Sequence, residues 1–572
     1  MSRHCFYPVA VLGLSVWLIA GCRTMPVVSG NDGADPGAKP SARKESARKA
    51  ARNEESELRQ RAKAHAHYAA GVIHDLNEAP ELALAEFTQA AQADPDNEAL
   101  TLEVSRRLLQ TKQPEKALEL LRLAAARPNA SGMVFARLGF VHAQLGQHDQ
   151  AMEASRKAIN KMPDALVGYQ NLFLAYLQTS QPEAALKVLD EAALRPATNP
   201  ESLMAVAELY ANYAMQFPSQ RGEVHAKGLK VLNRVRELTL PLPQQRLKLG
   251  DGFNLFGDTQ TAAEIYRELL RPDSEFPSLR QIVRVKLVDI YLRANDHGRA
   301  AELLEEILRD EPSNAQAHYQ LGRLAYEAER WAEAVARFKS VMLFNPNFEQ
   351  AHYDLAAAQI ALGDAGDAVV VLDQARAKFS SNFVVEYLLG VAHNREKNYA
   401  DAVQHYTAAE VIAMATDTNR LNQGFYFQLG AAFERHGDRQ QAARYFEKCL
   451  ELAPDFHEAM NYLGYMWAEQ GENLERARDL IVRALKAEPD NEAYLDSMAW
   501  VLFKLNQPCE ALAYMLKAVA AAEEPDATLF DHLGDIYAAL NEPEQAREAW
   551  RKSLAVEPNE AVQKKLGAAE TE

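Results

Sequence analysis

The stretch NAQAHYQLGRLAYEAERWAEAVARFKSVMLFNPN, Asn314 to Asn347, decides how the chain is read. Its apolar residues recur three and four positions apart in two runs, the pattern of two amphipathic helices. Gly322 sits in the first run, Ala334 and Phe338 in the second, and Pro346 closes the segment. The same punctuation returns along the chain. Ala300, Ala334, Ala368 and Ala402 lie 34 residues apart, as do Ala83, Ala117, Ala151 and Ala185. Ala442, Ala477, Ala511 and Ala546 continue at steps of 40, 35, 34 and 35. Four residues after most of these alanines stands a bulky one, as in Phe87, Leu121, Phe338, Tyr406, Phe446 and Trp550. Twelve residues before them often stands glycine, as in Gly71, Gly139, Gly322, Gly390, Gly430 and Gly534. Pro95, Pro163, Pro312, Pro346, Pro454, Pro489 and Pro558 close their units. Each choice has a packing reason. Small Gly and Ala let two antiparallel helices approach closely, and the bulky residue is expected to fill the gap against the next pair. Proline fixes the turn and stops the second helix.

This ruler resembles the tetratricopeptide repeat, with its W…LG…Y…A…F…A…P pattern, over residues 64 to 560 and fourteen units. The resemblance implies an all-α fold, a right-handed superhelical solenoid of about fourteen helix pairs. Repeats 1–4 form an N-terminal array over 64–199, and repeats 7–14 a C-terminal array over 281–560. The fifth and sixth units, 200–280, carry the faintest signatures and are expected to bend the array. Gly228 replaces the ruler alanine in the fifth, which also has an insertion around NYAMQFPSQRGEVH. The Pro-rich joints LPLP, Leu240 to Pro243, and RPDSEFP, Arg271 to Pro277, flank the sixth. Stacked repeats need a polar cover at each end. Residues 561–572 are expected to supply one as a capping helix and tail, with Val562 and Leu566 inward and Lys564 and Lys565 facing water.

The front of the chain reads differently. Met1-Ser2-Arg3-His4 is a short basic head, and Pro8 to Ala20 is almost wholly apolar. Ile19-Ala20-Gly21-Cys22 then resembles a bacterial lipobox. The resemblance implies a signal peptide over 1–21 and a diacylglycerol on the thiol of Cys22, with acylation of the new amine. Arg23 after the cysteine, rather than Asp, implies the outer membrane, with the protein facing the periplasm. Acyl chains contribute roughly 0.8 kcal/mol per buried methylene, so three of them make an effectively permanent anchor. Residues 22–50 read as a lipidated flexible tether, Gly-, Pro-, Asp- and Ser-rich from Val28 to Pro40, and 51–63 as a basic lead-in helix. From Lys39 to Lys63 nine Lys and Arg stand against four Glu.

Function classes then narrow. A net charge of −17 argues against nucleic acid as the main partner. Cys449 and Cys509 stand 60 residues apart without a CxxC, so neither a zinc site nor a disulfide framework is indicated. No GxSxG, HExxH or GxxxxGK[ST] occurs, and with the repeats assigned no catalytic domain has room. No enzyme activity, cofactor or metal is expected. His65 and His67, two apart on a helix, point to different faces. The layout resembles Gram-negative repeat lipoproteins that tether periplasmic processing proteases. It implies a non-enzymatic scaffold or adaptor, held to the membrane by its N-terminal lipid, that binds a periplasmic or outer-membrane protein client, a protease or cell-wall hydrolase, in its concave groove. The alternative is a pilotin-like or barrel-assembly lipoprotein. The sequence leaves the client and the oligomeric state open. In this family the first helix of each unit lines the groove. The slot two residues before the LG pair holds Tyr319, Tyr353, Tyr387 and Phe427, then Asn461, Asp496 and Asp531. With Tyr326 and Tyr465 on the same helix face, these are the candidate groove residues, an aromatic stripe running into an acidic end that favours basic groups on the client.

Overall fold

A computed structural model of the chain describes residues 40–196, 199–271 and 277–571. The expected signal peptide, Cys22 and the first part of the tether lie outside the described residues. The chain divides into two compact units, Met1–Thr239 and Leu240–Glu572. Unit 1 holds α1 (Pro40–Leu76), α2 (Pro80–Ala93), α3 (Glu98–Gln110), α4 (Pro114–Ala125) and α5 (Gly132–Gln144). It continues with α6 (His148–Lys161), α7 (Leu166–Gln178), α8 (Pro182–Ala193), α9 (Pro200–Gln216) and α10 (Arg221–Arg236). Unit 2 begins with α11 (Pro243–Leu255), α12 (Thr259–Leu269), α13 (Pro277–Arg293), α14 (His297–Asp310), α15 (Ala315–Glu327) and α16 (Trp331–Phe344). Then come α17 (Glu349–Leu362), α18 (Ala365–Phe379), α19 (Phe383–Arg395), α20 (Tyr399–Thr416), α21 (Gln423–His436) and α22 (Arg439–Leu452). The last are α23 (His457–Gln470), α24 (Leu474–Ala487), α25 (Glu492–Lys504), α26 (Pro508–Ala521), α27 (Ala527–Ala539), α28 (Pro543–Val556) and α29 (Glu560–Thr571). Among the described residues there is no strand. Each odd-numbered helix up to α27 packs on the even-numbered helix after it, giving the expected fourteen hairpins among the described residues, and α29 lies against α28.

The ruler explains the hairpins. All twelve ruler alanines, from Ala83 to Ala546, are 0–1% exposed. Any larger side chain there would force the two helices of a pair apart. Seven second helices end two residues before a proline, as α16 does at Phe344 before Pro346. The intervening residues have φ between −131° and −143°. Proline's ring disfavours the helical region for the residue before it, so the helix stops there. Within a hairpin the turn is closed by a left-handed residue, such as Gly363 (φ 99°) or Gly437 (φ 91°).

Four details differ from the sequence reading. The bulky residue of a repeat packs against the glycine of its own hairpin. Phe87 meets Gly71, Phe338 meets Gly322 and Tyr406 meets Gly390. The reason is geometric: a glycine without Cβ opens a notch that only the facing helix, one short turn away, can fill. Second, α1 starts at Pro40, so the end of the expected tether and the lead-in form one 37-residue helix with the first repeat. Ala, Lys, Arg and Glu after Pro40 favour helix, and proline is tolerated in the first turn. Third, the insertion in the fifth unit is absorbed by lengthening its hairpin to 17 and 16 residues, with Tyr210 and Tyr213 fully buried. Fourth, the sixth unit keeps the same lock, Tyr266 filling the notch at Gly250. The boundary between the units falls at the LPLP joint. Among the described residues no helix is long and apolar enough to cross a membrane.

Candidate binding groove

First helices of successive repeats touch one another in unit 2: α15 meets α17, α17 meets α19, α23 meets α25, and α25 meets α27. Residues four apart on each share a face. Asn461, Tyr465 and Glu469 form such a row on α23, Asp496 and Trp500 on α25, Asp531 and Asp535 on α27. Because the repeat here is 35 residues, Tyr465, Trp500 and Asp535 fall in one slot and Asn461, Asp496 and Asp531 in another.

The candidate residues divide in two. In repeats 8 to 11 the rings tie neighbouring helices together. Tyr319 packs at a tilt against Phe348, ring centres 4.6 Å apart, and donates its hydroxyl to Asp354 Oδ2 at 2.8 Å. Tyr353 is 4% exposed; it donates to Glu349 Oε1 at 2.6 Å and accepts from Asn382 Nδ2 at 2.8 Å. Burial and the nearby Glu349 carboxylate push its hydroxyl pKa up to about 12. Tyr387 packs parallel to Phe383 at 5.7 Å, with Tyr406 at 5.8 Å. Phe427 touches Phe446, Phe456 and Tyr462, and Tyr326 meets Trp331 edge-on at 4.8 Å. Tyr353 is core. Tyr319, Tyr326, Tyr387 and Phe427 are half-buried and keep part of a ring to offer.

Repeats 12 to 14 are built differently. Trp500, 6% exposed, stacks on the His532 ring at 3.9 Å and donates its indole N–H to Glu469 Oε1 at 2.5 Å. His532 Nδ1 bonds Asp496 Oδ1 at 2.8 Å. Burial acts to lower the His532 pKa, but the hydrogen bond and charge of Asp496, with Asp531 and Glu469 beyond, outweigh it and raise it. Tyr465 is half-buried, its ring 6.3 Å from His532. Burial, then Glu469, Asp496 and Glu434, raise its hydroxyl pKa. Asp531 and Asp535 both accept from Lys565 of α29, at 2.8 and 2.7 Å. Lys565 therefore does not face water as expected: it stands three residues after the buried Val562, on the face turned toward α27. Asp496 and Asn461 are buried, at 7% and 9% exposure.

The sequence reading passed over Glu469, Trp500 and Asp535, each one helical turn beyond a residue it named, and His532 and the inward turn of Lys565, which only packing reveals. It also missed an apolar row in unit 1. Val72, Phe140 and Leu174, spaced by 68 and 34 residues, share one slot and are 36%, 39% and 49% exposed. The signal was the residue after Gly71 and Gly139. Elsewhere His318 and His352 are buried against Phe344 and Phe379, a packing role. Cys449 is buried, its thiol pushed up to about 11 by burial, and Cys509 is exposed; both are free. Among the described residues no group of three or more His, Cys, Asp or Glu could hold a metal ion.

Three family models described as tetratricopeptide repeat match the chain: one at residues 285–341 and 427–492, one at 325–390, and one at 134–160 and 527–560. A TPR repeat-containing protein of Pseudomonas aeruginosa is 27% identical over 219 residues, 38% of this chain and 36% of that protein. The cellulose synthase operon protein C of Pseudomonas fluorescens is 28% identical over 213 residues, 36% of this chain and 13% of that protein. The chain thus spans about a third or less of the length of these relatives. Yeast Tom70, a solved structure, aligns over 84% of this chain and 96% of its own at 15% identity and a TM-score of 0.30. The matched segments, in both units, are tetratricopeptide repeats, and the buried alanines and glycine notches carry the same helix-hairpin architecture through the described residues.

Proposed function

We propose that the chain is a membrane-anchored adaptor with no catalytic chemistry of its own. Lipid on Cys22 holds it to the outer membrane facing the periplasm, and the first-helix face of unit 2 holds a protein client. A processing protease or cell-wall hydrolase is the client class the layout suggests. The observation that carries the reading is the face shared by α23, α25 and α27, where half-buried Tyr465 and Glu469 on α23, Trp500 on α25, and Asp531 and Asp535 on α27 recur at the spacing of three repeats. Rigid rings give contact area at small entropy cost, and a fixed carboxylate pattern sets the client's register. A pull-down from detergent-solubilised membranes, run with the parent and with Glu434→Gln/Glu469→Gln, tests this. Recovery of a protease or hydrolase by the parent, lost in the variant, supports it. Equal recovery by both overturns the groove, and recovery of a secretin or barrel machinery moves the chain to the alternative class.

A further inference from the structure

The acidic end of this face already holds cations, and both come from the chain itself. Lys565 Nζ on α29 lies 2.8 and 3.0 Å from the two carboxylate oxygens of Asp531 and 2.7 Å from Asp535 Oδ2. Lys504 Nζ on α25 stands 4.7 Å from the centroid of the Trp500 ring. The two contacts use different chemistry, a carboxylate fork and an aromatic face, and both suit an ammonium or guanidinium group. Around them carboxylates predominate, with Arg439 the cation facing Tyr465. Glu434, Glu469 and Asp496 act on Tyr465, and Asp496, Asp531 and Glu469 act on His532. Asn461, 9% exposed and one turn from Tyr465 on α23, has a buried Oδ1 with no hydrogen-bond partner among the described residues. An orphaned carbonyl oxygen accepts an N–H and adds to the same preference.

We propose that the face formed by α23, α25 and α27 captures a lysine- or arginine-bearing segment of its protein partner, and that Lys565 occupies Asp531 and Asp535 until that segment displaces it. The inference rests on the adaptor reading and adds its partner's chemistry. α29 packs on α28 through Val562 and Leu566, Arg547 Nη1 of α28 donates to the Ala569 carbonyl, and Lys565 joins the helix to α27. The two carboxylates outweigh burial in raising the Lys565 pKa, so the ammonium is charged throughout the physiological range. A client side chain exchanging for it keeps the local charge balanced, so Asp531 and Asp535 are not left buried without a counter-ion.

The test uses the detergent-solubilised full chain and a fluorescein-labelled octalysine peptide, with octaglutamate as control. The parent is expected to bind octalysine, more weakly as salt rises, and not octaglutamate. Lys565→Gln removes the competitor and should tighten octalysine binding about fivefold, the gain for a site otherwise mostly occupied. Asp531→Asn/Asp535→Asn should weaken it about tenfold. Glu523→Gln/Glu524→Gln makes the same charge change at exposed positions and should leave it unaltered. Unchanged or weaker binding by Lys565→Gln overturns the proposal. So does equal weakening by the two double variants, which marks general attraction to an acidic protein. If Asp531→Asn/Asp535→Asn does not fold, the Lys565→Gln result decides. Loss of octalysine binding with client capture still abolished by Glu434→Gln/Glu469→Gln leaves the adaptor standing and removes only this inference.

Discussion

Phe338 fills the place of the side chain that Gly322 lacks: a Cβ on Gly322 would stand 2.7 Å from Phe338 Cε1 and 2.8 Å from Cδ1. Nothing in the hairpin can yield cheaply, because the ring is 1% exposed and boxed in by its own core cluster. Gly322→Ala is expected to cost about 1–3 kcal/mol by overpacking. Phe338→Ala should cost about 3–5 kcal/mol by opening a cavity. The two should not add, since the added methyl partly fills the space the ring leaves. Hydrogen-exchange protection of α15 and α16 in the two single variants and the double variant measures this. A strictly additive pair would mean that the notch is not where the cost arises.

The tyrosines of the stripe should separate by burial. Tyr353→Ala removes a core ring and is expected to lower thermal stability markedly, by about 3–5 kcal/mol if it behaves like other buried aromatics. Tyr353→Phe keeps the ring and loses the hydroxyl between Glu349 and Asn382, for about 1 kcal/mol. Tyr465→Phe, at a half-buried position, should leave melting nearly unchanged. Melting curves read beside client capture decide the matter: a Tyr353→Ala protein that melts like the parent yet loses its client makes Tyr353 a contact residue.

What was legible in the sequence followed the periods. Alanine, glycine and proline recur because each answers a local steric demand, so the hairpins of repeats 1–4 and 7–14 could be read from spacing, and the fifth and sixth from fainter signatures between them. The partner of the bulky residue could not, since periodicity fixes which residues share a slot and not which helix faces it. The sixth unit shows the same limit. Its Gly250 and Tyr266 were present at the repeat's spacing, but Pro-rich neighbours on both sides obscured them. At the candidate site the slot rule found Asp496 and Asp531 and passed over their partners. His532 and Lys565 lie 36 and 34 residues further on, and only packing brings them back.

Cys22 lies outside the described residues, and its role rests on Ile19-Ala20-Gly21-Cys22 after the basic head and apolar core. Cys22→Ser removes the thiol that would take diacylglycerol. Radiolabelled palmitate should enter the parent and not the variant, and the variant should leave the membrane fraction. Label retained by Cys22→Ser would refute lipid attachment there.

The buried pair His532–Asp496 makes the end of unit 2 sensitive to pH. His532 is 5% exposed, stacks on Trp500, and faces Asp496, Asp531 and Glu469. Its folded pKa lies above the ordinary value of about 6.5. A group whose pKa rises on folding adds stability that is complete below its unfolded pKa and is lost as pH climbs through the folded one. The parent should therefore exceed His532→Gln in stability by more at pH 5.5 than at pH 9. Asp496→Asn tests the cause. It leaves a protonated imidazole buried without its partner, at a cost of about 3–5 kcal/mol where the histidine is charged and much less where it is neutral. The penalty of Asp496→Asn should accordingly shrink as pH rises, and the His532 titration followed by NMR should move downward in that variant. A penalty that stays constant from pH 5.5 to 9 would mean that Asp496 serves there as a hydrogen-bond acceptor without a charged partner.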